Sequence, residues 1–259
     1  VEFYSEMNTA RFQFGRRAAA YARSSVLGSR EDLEIVVDLA LAGGGVRVLD
    51  VATGTGNLAF VLAERGGVVV GLDLTREMLE EACSILRERR ELEVSFLLGE
   101  VGCLPFREGV FDAVTCRFSF HHFQAPEKAL AEMRRVCKSG GRIVVEDIVS
   151  PEEEAGSKLQ NRMEKIRDPS HIRHYKKSEL EALALNAGLE VLEIVERGAD
   201  FRLEEWLDIA DPPREKRGQV KKLMFELREE LRLRLQDGEA WFTYPVVVLA
   251  ATSGSSRSL

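Results

Sequence analysis

The stretch Val48-Leu49-Asp50-Val51-Ala52-Thr53-Gly54-Thr55-Gly56-Asn57-Leu58-Ala59 constrains the fold more than any other part of the chain. A short β-branched run reaches two glycines one residue apart and passes at once into a segment of helical character. Strand, glycine turn and helix in that order open a βαβ unit, because glycine permits the turn and lets backbone approach a ligand with no Cβ in the way. The remaining sequence keeps that alternation, the pattern of a parallel sheet with helices on its faces.

Seven strands are expected, over 46–51, 68–72, 94–98, 111–117, 142–147, 189–196 and 243–251. Helices are expected over 57–64, 76–89, 126–136, 152–167 and 177–187. The third of these should end at Ser139-Gly140-Gly141, where the glycines supply a left-handed cap, and the last at Gly188. The segment 152–167 reads as an exposed helix. Residues 202–235 read as helical and solvated, laced by i,i+4 ion pairs and broken at Asp211-Pro212-Pro213. Ahead of the first strand, 3–41 reads as two helices folding over the sheet edge as a lid. The expected fold is therefore α/β, a doubly wound, mostly parallel seven-stranded sheet in one domain over 1–252. The first 45 residues form the lid, 46–150 the core, and 151–188 and 202–240 helical inserts, with a disordered tail over 253–259.

Composition removes several classes of function. Among 259 residues, 36 lysines and arginines face 43 aspartates and glutamates, a net charge of −7, so a general nucleic-acid binder is not expected. No apolar run approaches the ~18–20 residues a membrane helix needs, and residues 1–10 lack the plan of a signal peptide. Cys83, Cys103, Cys116 and Cys137 stand singly, with no C-x-x-C pair, and read as buried reduced thiols of a cytoplasmic protein. No metal site is expected.

A lone G-x-G-x-x-A also fits a nicotinamide-dependent oxidoreductase. Two carboxylates turn the reading. Asp50 ends its strand four residues before Gly54, where it would repel a pyrophosphate on the helix N-terminus and suit a cationic amine. Asp73, closing Gly71-Leu72-Asp73-Leu74, is an acceptor-only group placed to take both hydroxyls of a ribose. The plainer alternative for Asp50 is a turn cap, and for Glu100 a surface glutamate.

Further blocks follow in order: Gly99-Glu100-Val101-Gly102-Cys103-Leu104-Pro105-Phe106, Phe111-Asp112-Ala113-Val114, Phe120-His121-His122-Phe123, Pro126-Glu127-Lys128-Ala129-Leu130 and Arg135-Val136-Cys137-Lys138-Ser139-Gly140-Gly141-Arg142. With the glycine loop they make the chain resemble the class I S-adenosylmethionine-dependent methyltransferases, a Rossmann-like fold, and within them the small-molecule group typified by the ubiquinone/menaquinone-biosynthesis C-methyltransferases. The core resemblance covers 46–146.

The resemblance implies that the last strand is antiparallel, that S-adenosylmethionine is the cofactor and that a small molecule is methylated. It places Asp50, Ala52, Gly54, Thr55 and Gly56 around the methionine part of the cofactor and Asp73 on its ribose. Glu100 and Val101 fall to the adenine edge, Leu74 and Met78 to the adenine face, and Arg117 and Phe118 to the methionine end. Ala52 stands where the family commonly has glycine, and Glu100 where it commonly has aspartate. His122 and His171 are the candidate catalytic bases. Phe14, Tyr21, His121 and Arg173 are candidate acceptor contacts, on the expectation that 12–21 and 168–175 cover the acceptor. A homodimer is compatible with this reading. The alternatives are a nicotinamide-dependent oxidoreductase and a non-catalytic protein that binds S-adenosylmethionine or S-adenosylhomocysteine.

Overall fold

The computed structural model describes residues 2–22, 29–42 and 47–253. Val46 and residues 254–259, parts of an expected strand and tail, lie outside them. Two helices, α1 (Glu2–Ala22) and α2 (Arg30–Leu41), precede the first unit of β1 (Arg47–Val51), α3 (Asn57–Glu64) and β2 (Val68–Asp73). Then come α4 (Arg76–Leu86), β3 (Val94–Leu98), β4 (Phe111–Arg117), α5 (Pro126–Val136) and β5 (Cys137–Ile148). The second half comprises α6 (Glu154–Arg167), α7 (Lys177–Asn186), β6 (Leu189–Arg202), α8 (Leu203–Ala210), α9 (Arg214–Glu226), β7 (Arg234–Gln236) and β8 (Glu239–Ser253).

Among the described residues the sheet has eight strands, in the order β3-β2-β1-β4-β5-β8-β6, with β7 pairing β8 off that path. The pairs from β3 to β5 are parallel, and β8 lies antiparallel between β5 and β6. Strand order reverses beside β1, so the loops leaving β1 and β4 part at their carboxyl ends and open a crevice there.

One face of the sheet is sealed by α2 and α3, whose Leu33, Val36, Val37, Leu58 and Leu62 join Val48, Val69 and Val144 in one buried cluster. Burying such aliphatic side chains contributes ~1.5–3 kcal/mol each. The expectation that both N-terminal helices form a lid is thus half corrected: α2 belongs to the core because its apolar stripe faces the sheet, while α1 lies near the crevice against α4 and α8. On the other face Leu130, Met133 and Leu180 pack over Val114, Ile143 and Val145.

A third cluster lies where β6 and β8 run on together beyond the parallel strands, pairing Phe201 with Phe242. Here α6, α8 and α9 gather around Trp206, Phe242 and Tyr244. This corrects two expectations. The helix expected to be exposed, α6, buries Ser157, Gln160, Met163, Glu164 and Arg167. Its buried polar side chains are hydrogen-bonded inside the protein, which polarity alone does not reveal. Likewise α9 seats Val220, Leu223 and Met224, and its ion pairs run across to α8, Lys221 to Glu204 and Arg217 to Asp208, rather than along its own face.

The helix expected to stop at the glycines stops earlier. Chain direction changes at Cys137, and Gly140 (φ +74°) serves the register shift between β4 and β5. A Cβ at Gly141 would stand 2.6 Å from the Asp112 carbonyl oxygen. The strand β7, expected as helix, is the near arm of a hairpin. Asp237 and Gly238 take φ of +52° and +81° between Gln236 and Glu239, the geometry of a two-residue turn that matches strand twist. That Asp-Gly pair was the legible signal for it. Of the four thiols Cys116 and Cys137 are buried, but Cys83 is half-buried and Cys103 is exposed on the loop after β3.

Candidate functional site

The crevice is a cleft of about 1400 Å³ including its open mouth. It has two parts. The strand-end part is bounded by Ala52, Gly54 and Thr55 from the β1 loop, Asp73, Leu74 and Met78 from β2 and the start of α4, and Glu100 and Val101 from the loop after β3. The outer part is bounded by Phe14 and Tyr21 of α1, by Phe118, His122 and Phe123 after β4, and by Ser170 and Ile172. Arg117 stands between them.

The glycine loop is held by carboxylates rather than by its own turn alone. Asp73 Oδ2 accepts from the Gly54 amide at 2.8 Å, and Oδ1 from the Thr75 amide at 2.8 Å. Gly54 (φ +55°) has open space where a Cβ would project, so the loop presents bare backbone to the cleft. Gly71 is required behind it, since a Cβ there would meet Phe96 at 2.7 Å and Thr53 at 2.9 Å. Ala52 and Phe118 both adopt left-handed backbone, φ +54° and +47°. Such a conformation is costly for residues with a Cβ, and here it falls twice on the wall of one cleft. Replacement of the expected glycine by Ala52 therefore carries strain.

Asp50 and Gly56 are not on the cleft wall. Asp50 is 2% exposed and accepts from Thr53 Oγ1 at 2.6 Å and Thr115 Oγ1 at 2.7 Å, bracing the loop from behind. Burial pushes its carboxyl up to about 6 against the pull of both threonines. Gly56 (φ +84°) precedes the first turn of α3.

Arg117 leaves β4 in an ion pair with Glu146, which is fully buried and also pairs with Arg197, itself 2.9 Å from Asp32. The Arg117 guanidinium lies 4.4 Å from the centre of the Phe118 ring. Removing one member of such a buried ionic group leaves its partners uncompensated, so the set fixes how β4 enters the cleft.

Of the candidate bases, His122 lines the cleft and His171 does not. The His122 Nδ1–H donates to the Ser170 carbonyl at 3.1 Å, which leaves Nε2 with its lone pair. Burial, reinforced by the neighbouring His121, pulls this ring down to about 4, so it is neutral at physiological pH. Phe14 meets it edge-on at 4.9 Å. His171 is 1% exposed and its Nε2 bonds Asn161 Oδ1 at 2.9 Å. Burial and the nearby histidines hold His171 and His174 far below the usual imidazole range. His121 sits behind His122, its Nδ1 2.7 Å from Asp147 Oδ1; burial opposes charge on it, but this carboxylate outweighs burial and raises its pKa. Arg173 points to the surface in a pair with Glu179.

Four wall residues fall outside the candidates named from the sequence, Asn57, Ser119, Gln124 and Lys128, while Ser170 and Ile172 belong to the segment 168–175 expected over the acceptor. Asn57 and Lys128 lie within the quoted motifs and are within reach of a sequence reading.

A family model described as a methyltransferase domain matches residues 49–145. Over 207 residues, 80% of this chain and 82% of the other, the sequence is 31% identical to an uncharacterized methyltransferase, YcgJ, of Bacillus subtilis. The chain belongs to the class I S-adenosylmethionine-dependent methyltransferases. The crystal structure of YcgJ superimposes on this methyltransferase with a TM-score of 0.80 at 27% identity, over 87% of this chain and 99% of that one. A demethylmenaquinone methyltransferase of Thermus thermophilus is 50% identical over 117 residues, 44% of this chain and about half, 53%, of that enzyme. The chain is thus an enzyme of methyl transfer to a small molecule with S-adenosylmethionine as donor, and the nicotinamide reading falls. Among the described residues no helix is long and apolar enough to cross a membrane.

Proposed function

We propose that this methyltransferase acts on a flat, largely apolar acceptor carrying a hydroxyl or an acidic C–H, and that His122 Nε2, a weak base, receives the acceptor's proton as methyl transfer makes that proton strongly acidic. The observation that carries the reading is the continuity of the cleft, from a carboxylate-braced loop to a chamber walled by Phe14, Tyr21, Phe118, His122 and Phe123. S-adenosylmethionine supplies an electrophilic methyl group on a sulfonium. The strand-end part fits its chemistry: the open backbone at Gly54 would accept close approach, Asp73 would offer its carboxylate to the ribose, Glu100 with Val101 would meet the adenine edge, and Leu74 and Met78 its face. Ala52, Thr55, Arg117 and Phe118 take the methionine end, with Asp50 and Gly56 supporting them from behind.

Methyl transfer is accelerated mainly by alignment and by exclusion of water. The aromatic walls do both, and α1 closes the outer side. His122 is oriented by the Ser170 carbonyl, and Ser170 is in turn fixed by Asp168, to which its hydroxyl donates at 2.6 Å. The demethylmenaquinone methyltransferases among the relatives act, by their name, on a quinone-class molecule, and an aromatic chamber suits a ring of that kind.

The test is release of S-adenosylhomocysteine with a panel of phenols, hydroquinones and 1,3-dicarbonyl compounds set against amines and phosphorylated acceptors. Turnover is expected with the first group only. In His122→Gln it should fall ~10²–10⁴-fold, with cofactor affinity within about twofold of the parent. Turnover confined to amines, or an unaltered His122→Gln enzyme, overturns the proposal.

A further inference from the structure

All four histidines of the chain converge behind the outer wall of the cleft, although two lie after β4 and two in the loop after α6. Only His122 reaches the cleft. We propose that the other three, His121, His171 and His174, form a binding site for a divalent transition-metal ion of the zinc class.

Three observations carry this. One donor nitrogen from each ring lies within 4.8 Å of the others. The ring centres are 4.6 Å (His171 to His174), 4.8 Å (His121 to His174) and 5.6 Å (His121 to His171) apart. Three imidazoles about a tetrahedral ion, with metal–nitrogen bonds of ~2.0–2.1 Å, stand ~5 Å apart centre to centre. The rings therefore already have the required spacing, and their nitrogens need only turn inward.

One nitrogen of each ring is already held. Asp147 Oδ1 takes His121 Nδ1 at 2.7 Å, Asn161 Oδ1 takes His171 Nε2 at 2.9 Å, and the Gln160 amide is 3.0 Å from His174 Nδ1. This leaves His121 Nε2, His171 Nδ1 and His174 Nε2 for an ion. Outer partners of this kind orient metal-binding imidazoles. They are themselves anchored: Asp147 also accepts from the amides of His121 and Ile148, and Asn161 Oδ1 from the amide of His174.

Gln160 supplies the third observation. It is fully buried, and its Oε1 has no hydrogen-bond partner, while Nε2 faces His174 Nδ1. A half-turn of the amide sets Oε1 to accept a proton from Nδ1, so that His174 Nε2 is bare for the metal. The turn gives up the Nε2 bond to the Val149 carbonyl, at 3.2 Å the longer of that amide's two contacts, and sets Oε1 against that carbonyl oxygen, a cost that binding of the ion must exceed. A neutral set of three nitrogens suits zinc, cobalt or nickel rather than calcium or magnesium, which take oxygen. Bound there, the ion would fasten the 168–175 loop to the segment carrying His122.

The test uses the full chain without a histidine tag, stripped by chelator and titrated with zinc alone and with cobalt alone. One equivalent should bind, with the visible absorption of tetrahedral cobalt and no thiolate band. Long-range imidazole nitrogen NMR of the zinc-loaded protein should show the three bare nitrogens shifting while those of His122 do not. His174→Ala should weaken zinc binding at least 100-fold, and Asn161→Ala about 10–100-fold. Because His174→Ala could unfold the loop, the NMR of the unaltered chain decides independently. No stoichiometric binding, or binding whose signature is thiolate or whose shifts fall outside these rings, overturns the proposal.

Discussion

The two ends of the cleft are built by opposite means. At the strand ends, each group belongs to a short continuous stretch: β1 runs into its loop, β2 ends on Asp73, and backbone amides of Gly54 and Thr75 close on that carboxylate. At the outer end, the wall is assembled from α1, the segment after β4 and the loop after α6, which meet only in the folded protein. At the first end the cleft-facing groups are held by hydrogen bonds to charge; at the second the cleft-facing rings are held chiefly by packing, with carboxylates only behind them. Charge-assisted bonds are individually strong and directional, whereas ring contacts are weaker and more forgiving of replacement. The strand-end part should therefore be brittle and the outer part adjustable.

The harshest break of that contrast is Asp73→Ala. It removes the acceptor of two loop amides together with the group offered to the ribose. Binding of S-adenosylhomocysteine should weaken by ~2–4 kcal/mol, and the unliganded protein should lose ~1–3 kcal/mol of stability. Calorimetry and denaturant unfolding measure the two. An unchanged dissociation constant would mean that the loop does not depend on this carboxylate and that the contrast is misplaced.

A milder test sharpens the difference between the two strand-end aspartates. Asp50 touches no solvent-facing wall, and burial raises its carboxyl to about 6, against ~3.9 in an unfolded chain. Between those values the folded protein holds the proton and the unfolded chain does not. Its contribution to stability is thus present at low pH and lost as pH rises through about 6, a difference on the order of 2–3 kcal/mol. Asp50→Asn should abolish that component. Unfolding free energies of both proteins from pH 4.5 to 7.5 should lie nearest each other at the acid end and separate toward neutrality, with the variant the more stable. Parallel curves would show that Asp50 is ionised throughout.

The same contrast explains what was legible in the sequence. The glycine loop, Asp73, Glu100 and the Phe120-His121-His122-Phe123 block could be read because their neighbours in the chain are also their neighbours in space. The parallel half of the sheet followed from the same local signals. His171 reads as a candidate base in the sequence, yet it stands behind the wall, because its partners Asn161 and His121 come from α6 and from the segment after β4. Two H-x-x-H or H-H fragments in separate segments carry no spacing rule that reveals a common centre. The buried face of α6 was missed for a related reason: Gln160, Glu164 and Arg167 look solvated in sequence and become core only when Trp206, Tyr244 and His174 supply their partners.

The smallest expected effect tests the outer end. Phe14 contacts Tyr21 edge-on at 5.5 Å and His122 at 4.9 Å, pairs worth ~0.5–1.5 kcal/mol each beyond the area they bury. The helix that carries it is seated elsewhere: Gln13 Nε2 donates to the Ala210 carbonyl at 2.7 Å and Arg17 Nε to the Ile209 carbonyl at 3.0 Å. Truncation at Phe14 should thus leave α1 in place and open the chamber without dislodging its wall. For Phe14→Ala the acceptor KM should rise by the equivalent of ~1–2 kcal/mol, while the dissociation constant for S-adenosylhomocysteine stays within about twofold. Phe14→Leu should recover most of the loss, since an apolar wall is what the chamber requires there. Steady-state kinetics with the acceptor found in the panel, alongside calorimetry with the demethylated cofactor, separates the outcomes. Equal losses in both would show the two ends acting as one unit, and no loss in either would remove α1 from the acceptor's surroundings.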